Sequence, residues 1–212
     1  MMRISLIGMS GSGKSTWAGR LVENGFRVFH CDDLIAEKLS NELKKPDGTH
    51  MEVGEWMGFP HEPTYLEREE TYLYLEKKVL AEILGEIETG NASANDRIVI
   101  DTTGSVIYTG ETILTTLRRM TRVVHLATPA EIQELMLNAY LSNKRPVLWR
   151  SYFNVKTDES HEKALARCYQ KLLTDREKLY TQHADVTLDY YAHSSNDFDV
   201  NDFLNKVAGN GF

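Results

Sequence analysis

The fold is decided by the stretch Gly8-Met9-Ser10-Gly11-Ser12-Gly13-Lys14-Ser15, which follows the apolar run Met2–Ile7. The stretch satisfies the pattern G-x-x-x-x-G-K-[ST], which chance produces about once in thirty thousand windows. Glycines let the backbone curl around an anion with N–H groups turned inward, and a following helix adds the positive end of its dipole. We therefore predict a strand, a phosphate-binding loop and a helix, with ATP and Mg²⁺ as ligands.

The side chains of this loop have distinct predicted roles. Lys14 is expected to bridge the β- and γ-phosphates, and the Ser15 hydroxyl to hold Mg²⁺. A glycine-rich turn without a ligand is the alternative, but the agreement of strand, loop and helix argues against it. The predicted nucleotide-binding residues of the loop are Gly8, Gly11, Ser12, Gly13, Lys14, Ser15 and Thr16.

Length and composition fit one globular domain over residues 1–212. Hydrophobic residues make up 42% and charged residues 26% of the chain, which excludes disorder as the main state. The net charge of −7 disfavours nucleic acid and anionic membranes as partners. We expect a small-molecule substrate, and a monomer or a homodimer.

The localisation is predicted from cysteines and apolar segments. Cys31 and Cys168 cannot build a disulfide framework, so free thiols in a reducing compartment are expected. No apolar stretch approaches the ~20 residues that a bilayer requires, and the N-terminus lacks the features of a signal peptide. These observations predict a cytoplasmic protein.

Strand and helix patterns alternate along the chain. Further strands are predicted at Phe26–His30, Arg97–Asp101, Arg122–Ala127 and Asp185–Leu188. Helical periodicity covers residues 66–90 and 161–182, and Thr128-Pro129-Ala130-Glu131 has the pattern of a capping box at another helix start. Because such alternation is typical of parallel sheets with right-handed crossovers, we predict a three-layer α/β/α sandwich.

Three acidic residues follow predicted strands. Asp32 and Asp33 come after the second strand, and Asp101 ends the third. The carboxyl ends of parallel strands line the ligand crevice, so these carboxylates are expected beside the phosphate loop. We assign Asp101 to the metal, and Asp32 and Asp33 to the acceptor hydroxyl. For Asp33, the alternative is a helix N-cap or an acid in the first turn of a helix.

Two segments resist assignment to regular elements: a substrate-side insertion at about residues 40–65 and a basic, aromatic lid at about residues 142–157. In the lid, Arg145 is the first candidate and Arg150 the second for an arginine that neutralises transition-state charge and excludes water. Arg176 falls on the apolar face of the helix at 161–182. A charge there requires an anionic partner, either a substrate group or a structural ion pair.

The chain resembles the shikimate kinase branch of the P-loop proteins related to nucleoside monophosphate kinases. The resemblance runs from Arg3 to about Tyr190. It rests on GMSGSGKST, the Cys31-Asp32-Asp33 turn, the VID-TTG segment at 99–104, the KRPV segment at 144–147 and DREKLYTQHADVTLD at 175–189. It implies a five-stranded parallel sheet in the order 2-3-1-4-5, a nucleotide contact by Arg145 and an acceptor carboxylate held by Arg176.

The chain departs from this family on the acceptor side. His30 replaces the first acid of a D-x-D pattern whose second acid matches Asp32, and Leu73 stands where an arginine is expected before Glu76. A Gly-Gly-Gly turn becomes Thr102-Thr103-Gly104-Ser105, of which Gly104 is assigned to acceptor binding. These departures argue against shikimate as the acceptor.

The sequence thus predicts a small-molecule kinase that transfers phosphate from Mg-ATP to a hydroxyl of a small, acidic metabolite. The predicted catalytic residues are Lys14, Asp32 and Arg145. Two alternatives stay open. One is a nucleoside or nucleotide kinase, and the other is a catalytically silent, nucleotide-binding regulatory protein.

Overall fold

A computed structural model describes residues 2–90, 97–142 and 145–209. The strands are β1 (Arg3–Ile7), β2 (Arg27–His30), β3 (Ile98–Asp101), β4 (Arg122–Leu126) and β5 (Val186–Leu188). The helices are α1 (Lys14–Glu23), α2 (Cys31–Lys38), α3 (Val53–Met57), α4 (Tyr65–Glu88), α5 (Glu111–Met120), α6 (Ala130–Ser142), α7 (His161–His183), α8 (Tyr190–Ser194) and α9 (Val200–Ala208). A 3₁₀-helix, Val106–Tyr108, lies between β3 and α5.

The five strands form one parallel sheet in the order β2-β3-β1-β4-β5. This confirms the predicted order. In the register of β2 and β3, His30 lies opposite Asp101. Because all strands run in one direction, the loop after β1 and the carboxyl end of β3 meet at the same edge of the sheet.

Successive residues of the central strands face opposite layers, as expected for a sheet covered on both faces. On β3, Val99 belongs to a core that includes Trp17 of α1 and Phe203 of α9. Its neighbour Ile100 belongs to a second core, which includes Leu80 of α4 and Leu172 of α7. The predicted three-layer sandwich is therefore confirmed.

The start of α6 differs from the prediction in how the helix is capped. The helix begins at Ala130, near the predicted position, but the capping box does not form. The backbone N–H of Thr128 donates to a carboxylate oxygen of Glu177 at 3.1 Å, while Glu131 accepts a hydrogen bond from the Tyr191 hydroxyl. Glu177 thus accepts the hydrogen bond that Glu131 would accept in a local capping box.

The two irregular segments contain more buried structure than their composition suggests. The insertion holds α3 and an antiparallel bridge between Lys44 and His50, and Trp56 is buried. In the predicted lid, residues 143–144 lie outside the described part of the chain, and residues 145–157 contain neither helix nor strand. Val147–Trp149 are buried, so this part of the segment belongs to the core.

Among the described residues, no helix is both long and apolar enough to cross a bilayer. Both cysteines, Cys31 and Cys168, are buried free thiols.

Candidate functional site

The phosphate loop joins β1 to α1 with three glycines at positive φ: Gly8 at 143°, Gly11 at 87° and Gly13 at 97°. These angles are strained for residues with a Cβ. At Gly8 a Cβ would also lie 2.8 Å from the carbonyl oxygen of Leu126. Conformation therefore favours glycine at all three positions, and at Gly8 the available space requires it as well.

Lys14 is buried beneath this loop. Its Nζ donates to the carbonyl oxygens of Gly8 and Met9, at 2.9 Å each. Burial lowers the pKa of Lys14 from its ordinary value, while the nearby carboxylates of Asp101 and Asp32 oppose that shift. The ammonium group of Lys14 is thus bonded to its own loop and lies near two acids. Lys14 belongs to the first turn of α1, which also carries the exposed Ser15 and Thr16.

Asp101 ends β3 at the same edge of the sheet. Its Oδ2 lies 3.0 Å from Nδ1 of His30, which ends β2. His30 stands where the resemblance implies an acid, and it forms a hydrogen-bonded pair with Asp101. This contact was not anticipated from the sequence, although the register of two adjacent strands produces it directly.

The residues assigned to Mg²⁺ fit a magnesium site that is completed by its nucleotide. Ser15 and Asp101 offer one hydroxyl and one carboxylate, which are hard oxygen donors. No cluster of three histidine, cysteine or acidic side chains that could bind a metal occurs in the described ranges. Mg²⁺ commonly keeps several waters and binds through one or two carboxylates and the substrate phosphates, so this small donor set suits it.

Asp32 lies in the first turn of α2, where solvent reaches it. The hydroxyl of the buried Tyr72 donates to its Oδ1 at 2.8 Å. Crowding by protein atoms raises the pKa of Asp32, and both Lys14 and the Tyr72 hydrogen bond oppose this rise. The geometry leaves a fixed carboxylate at the mouth of the phosphate loop.

A cleft of about 560 Å³ opens beside the loop. Its wall contains five residues that the sequence analysis placed in the site or the loop motif, and six that it did not. Lys14 and Arg176 are not part of its wall. The predicted lining residues are Ser10, Asp32, Asp33, Gly104 and Arg145, counting Ser10 as part of the loop motif. The additional ones are Ala36, Glu52, Val53, Gly54, Tyr72 and Pro146.

The two candidate arginines occupy different places. Nη1 of Arg145 lies 3.5 Å from the Ser10 hydroxyl, so this side chain leans over the phosphate loop. Arg150 instead pairs with α4: its Nη1 lies 2.6 Å from Glu70 and 3.4 Å from Glu69. The structure therefore places Arg145, and not Arg150, against the loop.

Arg176 is buried beside the cleft and bonded to neutral groups. Its Nε donates to the Tyr108 hydroxyl at 3.3 Å, and its Nη1 and Nη2 donate to the carbonyl oxygens of Gly104 and Leu148 at 3.2 and 2.6 Å. These contacts use three of its five N–H groups. No carboxylate within the described ranges pairs with Arg176, so a structural ion pair does not explain it.

Glu76 of α4 is a further buried charge near the cleft. It accepts hydrogen bonds from the hydroxyls of Thr103 and Ser105, the latter at 2.6 Å. Burial raises its pKa to about 7, and the two hydrogen bonds limit that rise. Thr103 and Ser105 flank Gly104, so their hydrogen bonds to Glu76 hold the turn at Gly104 in place.

A family model described as an AAA domain matches residues 4–139. No curated protein matches the chain. Among solved structures, the fold is similar to the shikimate kinase of Acinetobacter baumannii in complex with shikimate, with a TM-score of 0.62 at 21% identity, covering 100% of this chain and 96% of that one. The shikimate kinase of Aquifex aeolicus gives 0.61 at 19% identity, with coverage of 99% and 98%.

A third solved structure widens the range of similar enzymes. The dephospho-CoA kinase of Campylobacter jejuni gives a TM-score of 0.53 at 16% identity, with coverage of 98% and 94%. These similarities establish a fold. The family model covers more than half of the chain, and the glycine loop lies inside it. The chain therefore belongs to this AAA domain family of P-loop proteins, and it has the fold of the shikimate kinases.

Proposed function

We propose that the protein transfers the γ-phosphoryl group of Mg-ATP to a hydroxyl of a small molecule bound in the cleft. One observation carries the proposal: Asp32, Arg145 and Ser10 of the phosphate loop line the same 560 Å³ cleft. This arrangement suits phosphoryl transfer, in which catalysis consists mainly of positioning and charge stabilisation.

The donor phosphates would lie in the curl of residues 8–15. Backbone N–H groups and the N-terminus of α1 favour an anion there. Lys14 would release the carbonyl oxygens of Gly8 and Met9 and contact the β- and γ-phosphates instead. Its hydrogen bonds to these carbonyl oxygens hold its ammonium group at the loop before the nucleotide binds. Ser15 and Asp101 would hold Mg²⁺, which supplies neutralisation of the phosphate charge when it is bound.

The acceptor hydroxyl would lie against Asp32. In the transfer, the oxygen of this hydroxyl bonds to the γ-phosphorus as the bond to the β–γ bridging oxygen breaks and ADP leaves. Asp32 orients the hydroxyl and accepts its proton, while Tyr72 holds the carboxylate in place. Arg145 stabilises the charge that develops on the phosphoryl oxygens.

The nature of the acceptor stays a prediction. The sequence predicts an acidic metabolite gripped by Arg176, and a nucleoside or nucleotide as the alternative. Two N–H groups of Arg176 remain for such a ligand after its contacts with Tyr108, Gly104 and Leu148. A cytoplasmic location and a monomeric or dimeric state are also predictions.

The test is ADP release with Mg-ATP and a panel of hydroxyl acceptors, with the phosphorylated product identified by mass. We expect Lys14→Ala to lower transfer by about a thousandfold because it removes charge from the transferring group. Asp32→Asn is expected to lower kcat by about a hundredfold or more while the KM for ATP changes little. Lys77→Ala, on the exposed face of α4, is the matched control.

The outcomes separate the open alternatives. Transfer to nucleosides or nucleotides alone would identify the nucleotide kinase. Mg-ATP binding without transfer to any acceptor would identify a silent binding protein. Transfer that persists in Lys14→Ala would contradict the proposed donor site.

A further inference from the structure

The charge of the cleft wall points to an acceptor class. Resting on the proposed function, we propose that the acceptor is a hydroxyl compound that carries a protonated amine, as amino alcohols and amino sugars do. The wall contains three carboxylates, Asp32, Asp33 and Glu52, and one cation, Arg145. This class is opposite in charge to the acid implied by the family resemblance.

The two outer carboxylates come from different elements that face the same space. Asp33 belongs to the first turn of α2, and Glu52 immediately precedes α3. Neither makes an ion pair with another residue in the described ranges. By contrast, Glu55, which is not part of the wall, lies 3.0 Å from Nζ of Lys45. The charges of Asp33 and Glu52 therefore act on whatever enters the cleft.

The nearby arginines do not neutralise the negative charge of the carboxylates on the acceptor side. Arg145 leans toward Ser10 and Gly11, on the side of the phosphate loop. Arg176 is buried, is absent from the cleft wall and donates to a hydroxyl and two carbonyl oxygens. A carboxylate acceptor would therefore approach three acids, while the one cation of the wall, Arg145, lies on the side of the phosphate loop.

Bound nucleotide strengthens the preference. The triphosphate would engage Arg145 together with Mg²⁺ and Lys14, so this cation of the cleft wall would no longer be available to an anionic acceptor. An ammonium group near Asp33 and Glu52 would be attracted, and it would also favour the ionised form of Asp32 that accepts the hydroxyl proton. Val53 and Pro146 provide apolar surface for the carbon frame.

The cleft volume suits such a molecule. Small-molecule sites commonly measure about 300–1,000 Å³, and this cleft of about 560 Å³ lies within that range. An amino sugar or a short amino alcohol would fit with its hydroxyl at Asp32 and its amine toward the outer wall.

The first experiment compares three acceptor pools of similar size in the ADP-release assay. The amine pool contains ethanolamine and glucosamine, the neutral pool glycerol and glucose, and the acid pool glycerate and gluconate. We expect the amine pool to be used with a KM about tenfold or more below that of the acid pool, and added salt to reduce this difference.

Each outcome is decisive. An equal or lower KM for the acid pool overturns the amine inference and leaves phosphoryl transfer intact. Mg-ATP binding without ADP release for any pool overturns the inference together with the proposed transfer. Failure to bind Mg-ATP places the error at the donor site itself.

The second experiment removes the outer charges. In the double variant Asp33→Asn, Glu52→Gln, we expect a rise of about tenfold in the KM for the amine acceptor and no comparable rise for the neutral one. Glu55→Gln removes the same charge one turn away, outside the cleft wall, and is the matched control. An equal change for amine and neutral acceptors would show a merely structural effect and overturn the inference.

Discussion

The donor side and the acceptor side of the cleft are built in different ways. The donor side is one continuous loop, residues 8–15, whose shape comes from its own backbone and glycines. The acceptor side combines Asp32, Glu52 and Gly104, which are far apart in the chain and meet only in the fold. A site formed by one continuous stretch of backbone can be recognised in a sequence. A site formed by side chains that are distant in the sequence cannot be recognised in this way, because the position of each side chain depends on the structure that supports it.

The largest expected effect distinguishes the two candidate arginines of the predicted lid. Arg145→Ala is expected to lower kcat by about a hundredfold to a thousandfold, because it removes a cation from the transferring group. Arg150→Ala should leave kcat nearly unchanged and lower the free energy of unfolding by about 1 kcal/mol, because its partners are Glu69 and Glu70. Steady-state kinetics and urea unfolding of both variants provide the measurement. A larger loss of kcat in Arg150→Ala would reverse the assignment.

The next prediction concerns Glu76, which holds the turn at Gly104 on the acceptor side. Its pKa is raised to about 7 from the ordinary 4.5. In that pH interval the folded protein holds a proton that the unfolded chain has lost. The free energy of unfolding should therefore decrease as the pH rises from about 4.5 to about 7, by up to about 3 kcal/mol. Urea unfolding across this range measures the slope.

Glu76→Gln tests the source of this slope, because the amide does not titrate. We expect the slope between pH 4.5 and 7 to become flatter, and the variant to gain stability relative to the wild type at pH 8. The control is Glu82→Gln, which removes an exposed carboxylate of the same helix. An unchanged slope in Glu76→Gln would show that Thr103 and Ser105 do not surround a titrating acid.

The smallest expected effect concerns the donor side. Gly8→Ala should lower the free energy of unfolding by about 1–3 kcal/mol and weaken ATP binding, because of its φ of 143° and the nearby Leu126 carbonyl oxygen. Gly19→Ala is the control, since a Cβ there meets no atom within 4 Å and α1 favours alanine. Thermal unfolding and calorimetric ATP titration test both variants. Equal behaviour of the two glycines would contradict a sterically required curl at residues 8–15.

The fold was largely predictable from local patterns. Apolar runs that end in Gly8 or Asp101, separated by amphipathic segments, predict a parallel sheet because each strand must be buried on both faces. The strand order came from the family resemblance, not from periodicity, and the structure confirms it. The start of α6 was also anticipated, but its capping partner was not, because Glu177 comes from a helix far along the chain.

The residues in and around the cleft were predictable only in part. Asp32 and Arg145 lie at the cleft as their motifs suggest, but the sequence carries no signal for the partners of Arg176. Its periodicity indicates a buried charge and therefore an anion, whereas two backbone carbonyl oxygens and the Tyr108 hydroxyl accept hydrogen bonds from three of its N–H groups. Carbonyl groups belong to every residue, so no sequence pattern identifies which of them will face a buried guanidinium.

By itself, the sequence determined the phosphate loop, the class of fold and the presence of acids at the ends of β2 and β3. These follow from glycine conformation, hydrophobic periodicity and the common direction of parallel strands. Tertiary structure alone decided that His30 pairs with Asp101, that Glu76 holds the turn at Gly104, and that carboxylates dominate the cleft wall. The reason is physical: short-range backbone preferences are encoded in neighbouring residues, while the field and the hydrogen bonds of a cleft arise from groups that only folding brings together.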